Sequence, residues 1–527
     1  MQDVEKYILA VDLGTTGPKV ALVSVQGHIL DSAFEETPLL LLPNGGAEQR
    51  PDDWWEATKR AIRSLLTRNQ LQVNGIVALC CTTQWSGTVA VDERGHSLMN
   101  AIIWMDSRGA PYARRITDGR FKVEGYAVDK LWRWIRLTGG VPGRAGKDSI
   151  AHILFIKYER PDIYRATHKF LEPKDYLNLR LTGRFAASYD SIALHWITDN
   201  RDIARVAYDN RLIAMSEIDR DKLPDLQRAV DILGPIRPEV ADELGLGRHV
   251  QVVTGTPDVQ SAAIGSGAVQ DFQAHLYIGT SAWLACHVPF KKTDVFHNIA
   301  SLPSAIPGKY LVSNEQQTAG ACLVFLRDNI LYPTDELAAG ARLPDVFKAL
   351  DRIVASTPAG SGKVIFTPWL YGERTPVGDH LARGGLHNVS LQTTRAHLIR
   401  AVFEGVAFNA RWLLGYVEKF VGRRLDAVNL AGGGANSDVW CQIVADVLDR
   451  PIRQIEDPIL VNARGAAALA SVALAEQSFD EIAQRVPIAH TYSPTPENWR
   501  LYDELYREFV EIYRRERGMF ARLNRAA

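Results

Sequence analysis

Short apolar runs broken by glycine-bearing turns open the chain. Residues 7–11 (YILAV), 19–25 (KVALVSV) and 28–33 (HILDSA) predict three successive strands, the first two joined by a turn that holds two glycines. PDDWWEATKRAIRSLL then places apolar residues at helical spacing behind Pro51, which predicts a helix. GIVALCCTT at 75–83 and TVAVD at 88–92 return to a strand pattern, whereas residues 121–235 are richer in helical patterns and tryptophans. The second half repeats the opening style. HVQVVTG (249–255) and AHLYIGTSAWLAC (274–286) are strand-like, and LDAVNLAGGGANSDVWCQIVADVLDRPI (425–452) predicts strand, glycine loop and a long helix with Val439, Ile443, Val444 and Val447 on its core face. Strands feeding helices through glycine turns indicate an α/β fold, and the early hairpin argues against a purely parallel sheet.

Length turns this pattern into two bodies. A chain of 527 residues, 46% hydrophobic and 23% charged, is too long for one compact core, so two α/β lobes are expected, spanning 1–264 and 265–527. No fixed-period repeat points to a solenoid. Sixty basic and 61 acidic residues give a net charge of -1, which supplies no overall bias toward nucleic acid or an anionic membrane. Cys80, Cys81, Cys286, Cys322 and Cys441 lack ligand spacing and suit a reducing compartment. No signal-like start or apolar run of roughly 18 residues occurs, so a cytoplasmic protein without a membrane span is expected. A homodimer is compatible with the sequence but not required by it.

Candidate chemistry gathers at three glycine elements. In ILAVDLGTTGPKVALV, Asp12 precedes Gly14, Thr15, Thr16 and Gly17. Backbone N–H groups and threonine hydroxyls there can hold phosphate oxygens, and the carboxylate can hold Mg²⁺ directly or through water. Gly279, Thr280 and Ser281 form a second turn of the same chemistry, one per lobe. Gly432, Gly433 and Gly434 let a planar or phosphate-bearing ligand approach the backbone, with Asn436 or Ser437 capping the helix that follows. The P-loop, zincin, serine-hydrolase and dinucleotide patterns are all missing; GSGKV at 360–364 has valine after its lysine and Thr357 where the leading glycine belongs.

CTTQWSGTVAVDERGHSLMNAIIWMDSRG supplies a substrate wall. Gln84, Ser86, Asp106 and Arg108 can bond hydroxyls, and Trp85 and Trp104 offer flat faces to a small sugar or polyol. In TGTPDVQSAAIG, Thr256, Pro257 and Asp258 predict N-cap, N1 and N2 of a helix running through Val259, Ala262, Ala263 and Ile264. Together these residues suit phosphoryl transfer from a nucleotide to an alcohol, with Asp258 the candidate base.

The ordered set VDLGTTGPK (11–19), WMDSR (104–108), KDYLNLRLTGRFA (174–186), TGTPDVQSAAIGSG (254–267), IGTSAWL (278–284), NLAGGGANSDVWCQIVADVLDRPI (429–452) and RGAAALASVAL (464–474) resembles the FGGY carbohydrate kinases, with xylulokinase-like members the nearest pattern. The resemblance implies two ribonuclease-H-like lobes around a cleft, ATP as donor, Mg²⁺, and a small sugar or polyol as acceptor. It makes Asp12 similar to the metal-associated aspartate and places Gly14, Thr15, Thr16 and Lys19 in the first phosphate loop. Thr280 falls in the second loop, Gly433 and Gly434 in the adenosine loop, Asp106 on the substrate and Asp258 as catalytic base. Two departures bear on the acceptor. Gln84-Trp85-Ser86-Gly87 stands where xylulokinases typically show a QMHG-like segment, and Pro257 and Val259 flank the acid where the family reads GGGDNA-like. D-xylulose is therefore expected to lead a set that includes ribulose, other ketoses and small polyols such as erythritol; a nucleotide-binding regulator without catalysis is the alternative of another class.

Overall fold

The computed structural model describes residues 5–333, 335 and 343–525. Strands β1 (Tyr7–Gly14), β2 (Gly17–Ser24) and β3 (Ile29–Phe34) form an antiparallel meander, followed by helix α1 (Pro51–Arg68) and strand β4 (Ile76–Thr83). Helix α2 (Pro173–Thr182), strands β5 (Ile232–Pro235) and β6 (Gln251–Pro257) and helix α3 (Asp258–Gly265) complete this part of the chain. The sheet order is β5-β6-β4-β1-β2-β3, with β1, β4 and β6 parallel and both flanks antiparallel. The mixed sheet is the one the early hairpin implied.

The uninterrupted apolar run of β1 follows from burial on both faces. Leu9 and Val11 point into a core with Trp54, Ile62 and Leu65 of α1. Ile8 and Ala10 point the other way, toward Ala463, Ala466 and Ala467 from far along the chain.

Strands β7 (Ala274–Ile278) and β8 (Ala282–Ala285), helix α4 (Arg395–Val421), strand β9 (Val428–Ala431), helix α5 (Asp438–Leu448), strand β10 (Ile452–Ile455), helix α6 (Val461–Ala473) and strand β11 (Ile488–Tyr492) build the second body. Its sheet runs β8-β7-β9-β10-β11. The pairing repeats that of the first sheet: an antiparallel hairpin, two parallel steps and an antiparallel edge. The chain is thus a two-lobed α/β protein, and helix α5 starts where the sequence placed it, with Ser437 rather than Asn436 as its cap: Trp440 N donates to Ser437 Oγ at 3.2 Å.

Helices α3 and α6 cross between the sheets, each serving the other lobe's core. Ala262 and Ala263 of α3 cluster with Trp283, Ala285, Ala431 and Ile455, while α6 covers the first sheet. Two glycines make the crossing. A Cβ on Gly265 would lie 1.9 Å from the Val461 carbonyl oxygen, and one on Gly465 would lie 1.9 Å from that of Ser261. Ser261 Oγ also donates to the Asn462 carbonyl at 2.7 Å.

Three expectations are corrected. The 28–33 strand begins at Ile29, past the turn at Gly27, so that it can pair with β2. TVAVD narrows to Val89–Val91, which pairs with Lys169–Leu171 outside the main sheet. The α3 start shifts by one residue: Asp258 is the first helical residue and Pro257 the cap position, because Thr256 remains in β6 and its hydroxyl donates to Asp190. All five cysteines are buried, and burial pushes the thiols of Cys80, Cys286, Cys322 and Cys441 up to about 12. Among the described residues no helix is long and apolar enough to cross a membrane.

Candidate active site

The end of β1 and the start of α3 converge. Asp12 is 2% exposed, and among the described residues its carboxylate has only long contacts, to Lys19 Nζ at 3.4 Å and to Asn462 Nδ2 at 3.4 Å. Asp258 begins α3 and is half-buried. Burial pushes its carboxyl up to about 7, and the nearby charge of Asp12 adds to the rise; Glu315 acts in the same direction, against the Val259 N–H and Lys19. A carboxyl raised to this range accepts a proton far more readily than an ordinary aspartate.

The first phosphate-turn candidate is bound to residues of the candidate substrate wall. Thr15 Oγ1 donates to Gln84 Oε1 at 3.1 Å and accepts from Trp104 Nε1 at 3.0 Å. Gln49 Nε2 donates to the Thr15 carbonyl at 2.8 Å, and Gln84 Nε2 returns to Gln49 Oε1 at 2.8 Å. Gly14 and Thr16 lie at the open tip of the β1–β2 turn, with Thr16 exposed. Gln49 carried no distinguishing signal in the sequence.

The other wall residues are more committed to the fold than their polarity suggests. Asp106 is 1% exposed and both oxygens are occupied: Oδ1 accepts from the Arg108 backbone N–H at 2.9 Å, and Oδ2 accepts from Ala47 N at 2.9 Å and Arg108 Nη2 at 2.6 Å. Arg108 also reaches Glu48 at 2.6 Å. Trp85 spends its indole N–H on the Ser191 carbonyl at 3.0 Å and packs, partly buried, against the core that holds Trp134 and Phe170. Ser86, at φ 63°, donates to the Lys147 carbonyl at 2.6 Å.

The second and third glycine elements meet. Gly279, Thr280 and Ser281 make the tight β7–β8 turn, closed by Gly279 N to the Ser281 carbonyl at 2.9 Å. Gly432, at φ 86°, packs so closely that a Cβ would lie 2.6 Å from the Ile278 carbonyl oxygen, and Gly434 rests on the Ile278 side chain. Gly433 and Asn436 remain exposed beside them. Tyr277, one strand position before Ile278, stacks on Trp283 at 4.2 Å and is close enough to Asp12 and Asp258 for both charges to raise its phenol, after burial. The nearness of Tyr277 to Asp12 thus brings the β7–β8 turn of one sheet toward the β1–β2 turn of the other.

Residues that sequence reasoning passed over complete the cleft. Glu315 pairs with Arg374 at 2.5 Å, and Lys147 holds its ammonium 5.5 Å from the Tyr371 ring. Asn462 lies two residues before RGAAALASVAL; its proximity to Asp12 comes from the glycine crossing and has no local signature.

A divalent cation fits this donor set. Mg²⁺ takes one or two carboxylates and keeps several waters. Asp12 offers a carboxylate without a tight partner, and the buried Asn462 Oδ1 has no partner among the described residues.

Comparison with known proteins shows the family. Residues 7–265 match the FGGY family of carbohydrate kinases, N-terminal domain, and residues 275–474 match its C-terminal domain. A xylulose kinase of Staphylococcus epidermidis is 28% identical over 99% of both chains, and one of Escherichia coli is 29% identical over 96% of this chain and 98% of its own. A solved gluconate kinase from Lactobacillus acidophilus superposes with a TM-score of 0.85 at 24% identity, covering 99% of this chain and 100% of its own.

Proposed function

This chain belongs to the FGGY family of carbohydrate kinases, and from that membership we propose that it transfers the terminal phosphoryl group of ATP to a hydroxyl of a small sugar, foremost a pentulose such as D-xylulose, with Asp258 as general base. The observation that carries the reading is the Asp12–Asp258 convergence, with one carboxyl raised to about 7, between two glycine turns from two sheets. It is supported by the full-length likeness to xylulose kinases.

Asp258 accepts the acceptor's hydroxyl proton as the new O–P bond forms and the bond to ADP breaks. Trp85 and Trp104 shield the acceptor's C–H faces, while the bonds from Gln84, Gln49 and Trp104 to Thr15 hold the first turn against the wall. Gly14, Thr15, Thr16 and Lys19 on one side and Gly279, Thr280 and Ser281 on the other hold the phosphates; Gly432, Gly433, Gly434 and Asn436 make room for the nucleoside. Asp12 would hold Mg²⁺ with water completing its shell, while the Asn462 amide N–H groups steady the Asp12 carboxylate; the ion when bound neutralizes phosphate charge. Asp106 and Arg108 support the wall from behind, through their bonds to each other, to Glu48 and to the Ala47 N–H.

A second reading rests on Lys147. Burial pushes its ammonium below the ordinary lysine range, and it has no ion pair among the described residues, so a sugar acid would bring it a carboxylate.

The test is phosphorylation of D-xylulose, D-ribulose, erythritol and D-gluconate followed by product mass, with Asp258→Asn in parallel. Asp258→Asn is expected to lower turnover by about 10²-fold or more while keeping nucleotide affinity; unchanged turnover in the folded variant overturns the base assignment. No product from any acceptor, with ATP still bound, would favor the regulator. Lys147→Met should raise KM for D-gluconate about 10-fold and leave D-xylulose within about 3-fold if the sugar-acid reading holds.

A further inference from the structure

The segment KDYLNLRLTG begins with a charged pair in a place where charge is costly. The side chains of Lys174 and Asp175, at the start of α2, are 1% and 0% exposed and form an ion pair. A dry ion pair contributes little net stability compared with apolar residues of similar volume, so its presence calls for another reason.

Its hydrogen bonds supply one. Lys174 Nζ donates to the Thr254 carbonyl at 3.0 Å, and Asn178 Nδ2, one helical turn on, donates to the same oxygen at 2.7 Å. At this point the pairing of β6 with β4 breaks register, between Val253 and Thr256. Such a bulge re-aims the residues beyond it, and here those residues end in Asp258. Farther along the strand, the Thr256 hydroxyl donates to Asp190, itself buried. The other oxygen of Asp175 accepts from Ser191 Oγ at 2.9 Å, and the Ser191 carbonyl accepts the Trp85 indole N–H at 3.0 Å. One buried network therefore holds both the strand end that presents Asp258 and the aromatic wall facing the acceptor.

We propose that Lys174 is a positioning residue: with Asp175 it fixes the height of the bulge at Thr254 and Gly255, beyond which the strand leads to Asp258, and the tilt of Trp85 relative to each other, and so sets the distance between the base and the acceptor hydroxyl. The proposal rests on the reading of Asp258 as general base. A displacement of about 1 Å at a reacting group costs on the order of 10²-fold in rate.

The test is the double variant Lys174→Met/Asp175→Leu, which replaces the ion pair with apolar volume, set beside Lys174→Met and Asp258→Asn. Each is assayed with ATP and, separately, D-xylulose and D-gluconate, and the double variant is also crystallized. The double variant is expected to unfold near the wild-type midpoint, to lose roughly 10- to 100-fold in kcat with KM for ATP within about 2-fold, and to show Asp258 displaced by about 0.5 Å or more. A stable double variant with wild-type kcat, or with Asp258 unmoved in the crystal, overturns the proposal. Active Asp258→Asn instead overturns the base reading, whatever the double variant does. If Lys174→Met alone fails to fold, the double variant and its crystal structure still decide.

Discussion

The β1–β2 and β7–β8 hairpins occupy the same place in their sheets and carry opposite chemistry. In the first, Asp12 lies two residues before Gly14 and faces Lys19 across the ladder. In the second, Tyr277 lies two residues before Gly279 and faces Trp283, which stacks on it at 4.2 Å. An ion pair on one side thus answers an aromatic pair on the other. The difference suits a polyphosphate shared between them: one carboxylate can hold a cation, whereas a second at position 277 would repel the phosphates. The scaffold is duplicated but the charge is not.

Changes at the two hairpins should have unequal effects. Asp12→Ala is expected to cost most, about 10³-fold in kcat/KM for MgATP, with acceptor KM little changed in steady-state assays that vary each substrate. Next in size is the response to pH. As the proposed base, Asp258 has to be ionized to take a proton; with its carboxyl raised to about 7, kcat/KM of the free enzyme should fall about 10-fold per pH unit below 7 and level off above it. A profile breaking near pH 4 would mean that neither burial nor the charge of Asp12 raises Asp258 in the free enzyme. The same shift has a stability sign. The protonated form favors the fold below pH about 4, and that contribution is lost as pH rises through about 7, so Asp258→Asn should melt above wild type at pH 8 and near it at pH 4.

The glycine crossing offers a smaller, structural test. Gly465→Ala should cost about 1–3 kcal/mol by urea unfolding, because the new methyl meets Ser261 backbone. Gly415→Ala in the middle of α4, where a Cβ meets nothing within 4 Å, should instead gain about 0.5–1 kcal/mol. The smallest effect is expected at Tyr277→Phe, within about 3-fold on every kinetic constant; a larger loss would place the phenol among the groups that touch substrate.

Much of this arrangement was legible in local pattern. Apolar runs ending in glycine turns placed β1, β2, β7, β8 and β9 and gathered Gly14, Gly279 and Gly432 at strand ends, because both periodicity and turn chemistry are short-range. The α5 cap was equally local. What escaped depends on the crossing of α3 and α6, which brings Asn462 to Asp12 over a sequence gap that no motif spans. Asp106 and Arg108 show the converse limit. Their residue types suit a sugar, yet burial pairs them with each other, Glu48 and the Ala47 N–H. The helix start at Asp258 was displaced by one residue because Thr256 found Asp190, a partner from a distant loop, in place of the helix N–H groups.

The buried cysteines make the chain chemically quiet. With their thiols held far from ionization and away from solvent, maleimides at neutral pH have little thiolate to attack. A single cysteine engineered onto the surface of each lobe would then be the reactive pair, and two dyes attached there would act as a spectroscopic ruler across the cleft in the otherwise native protein.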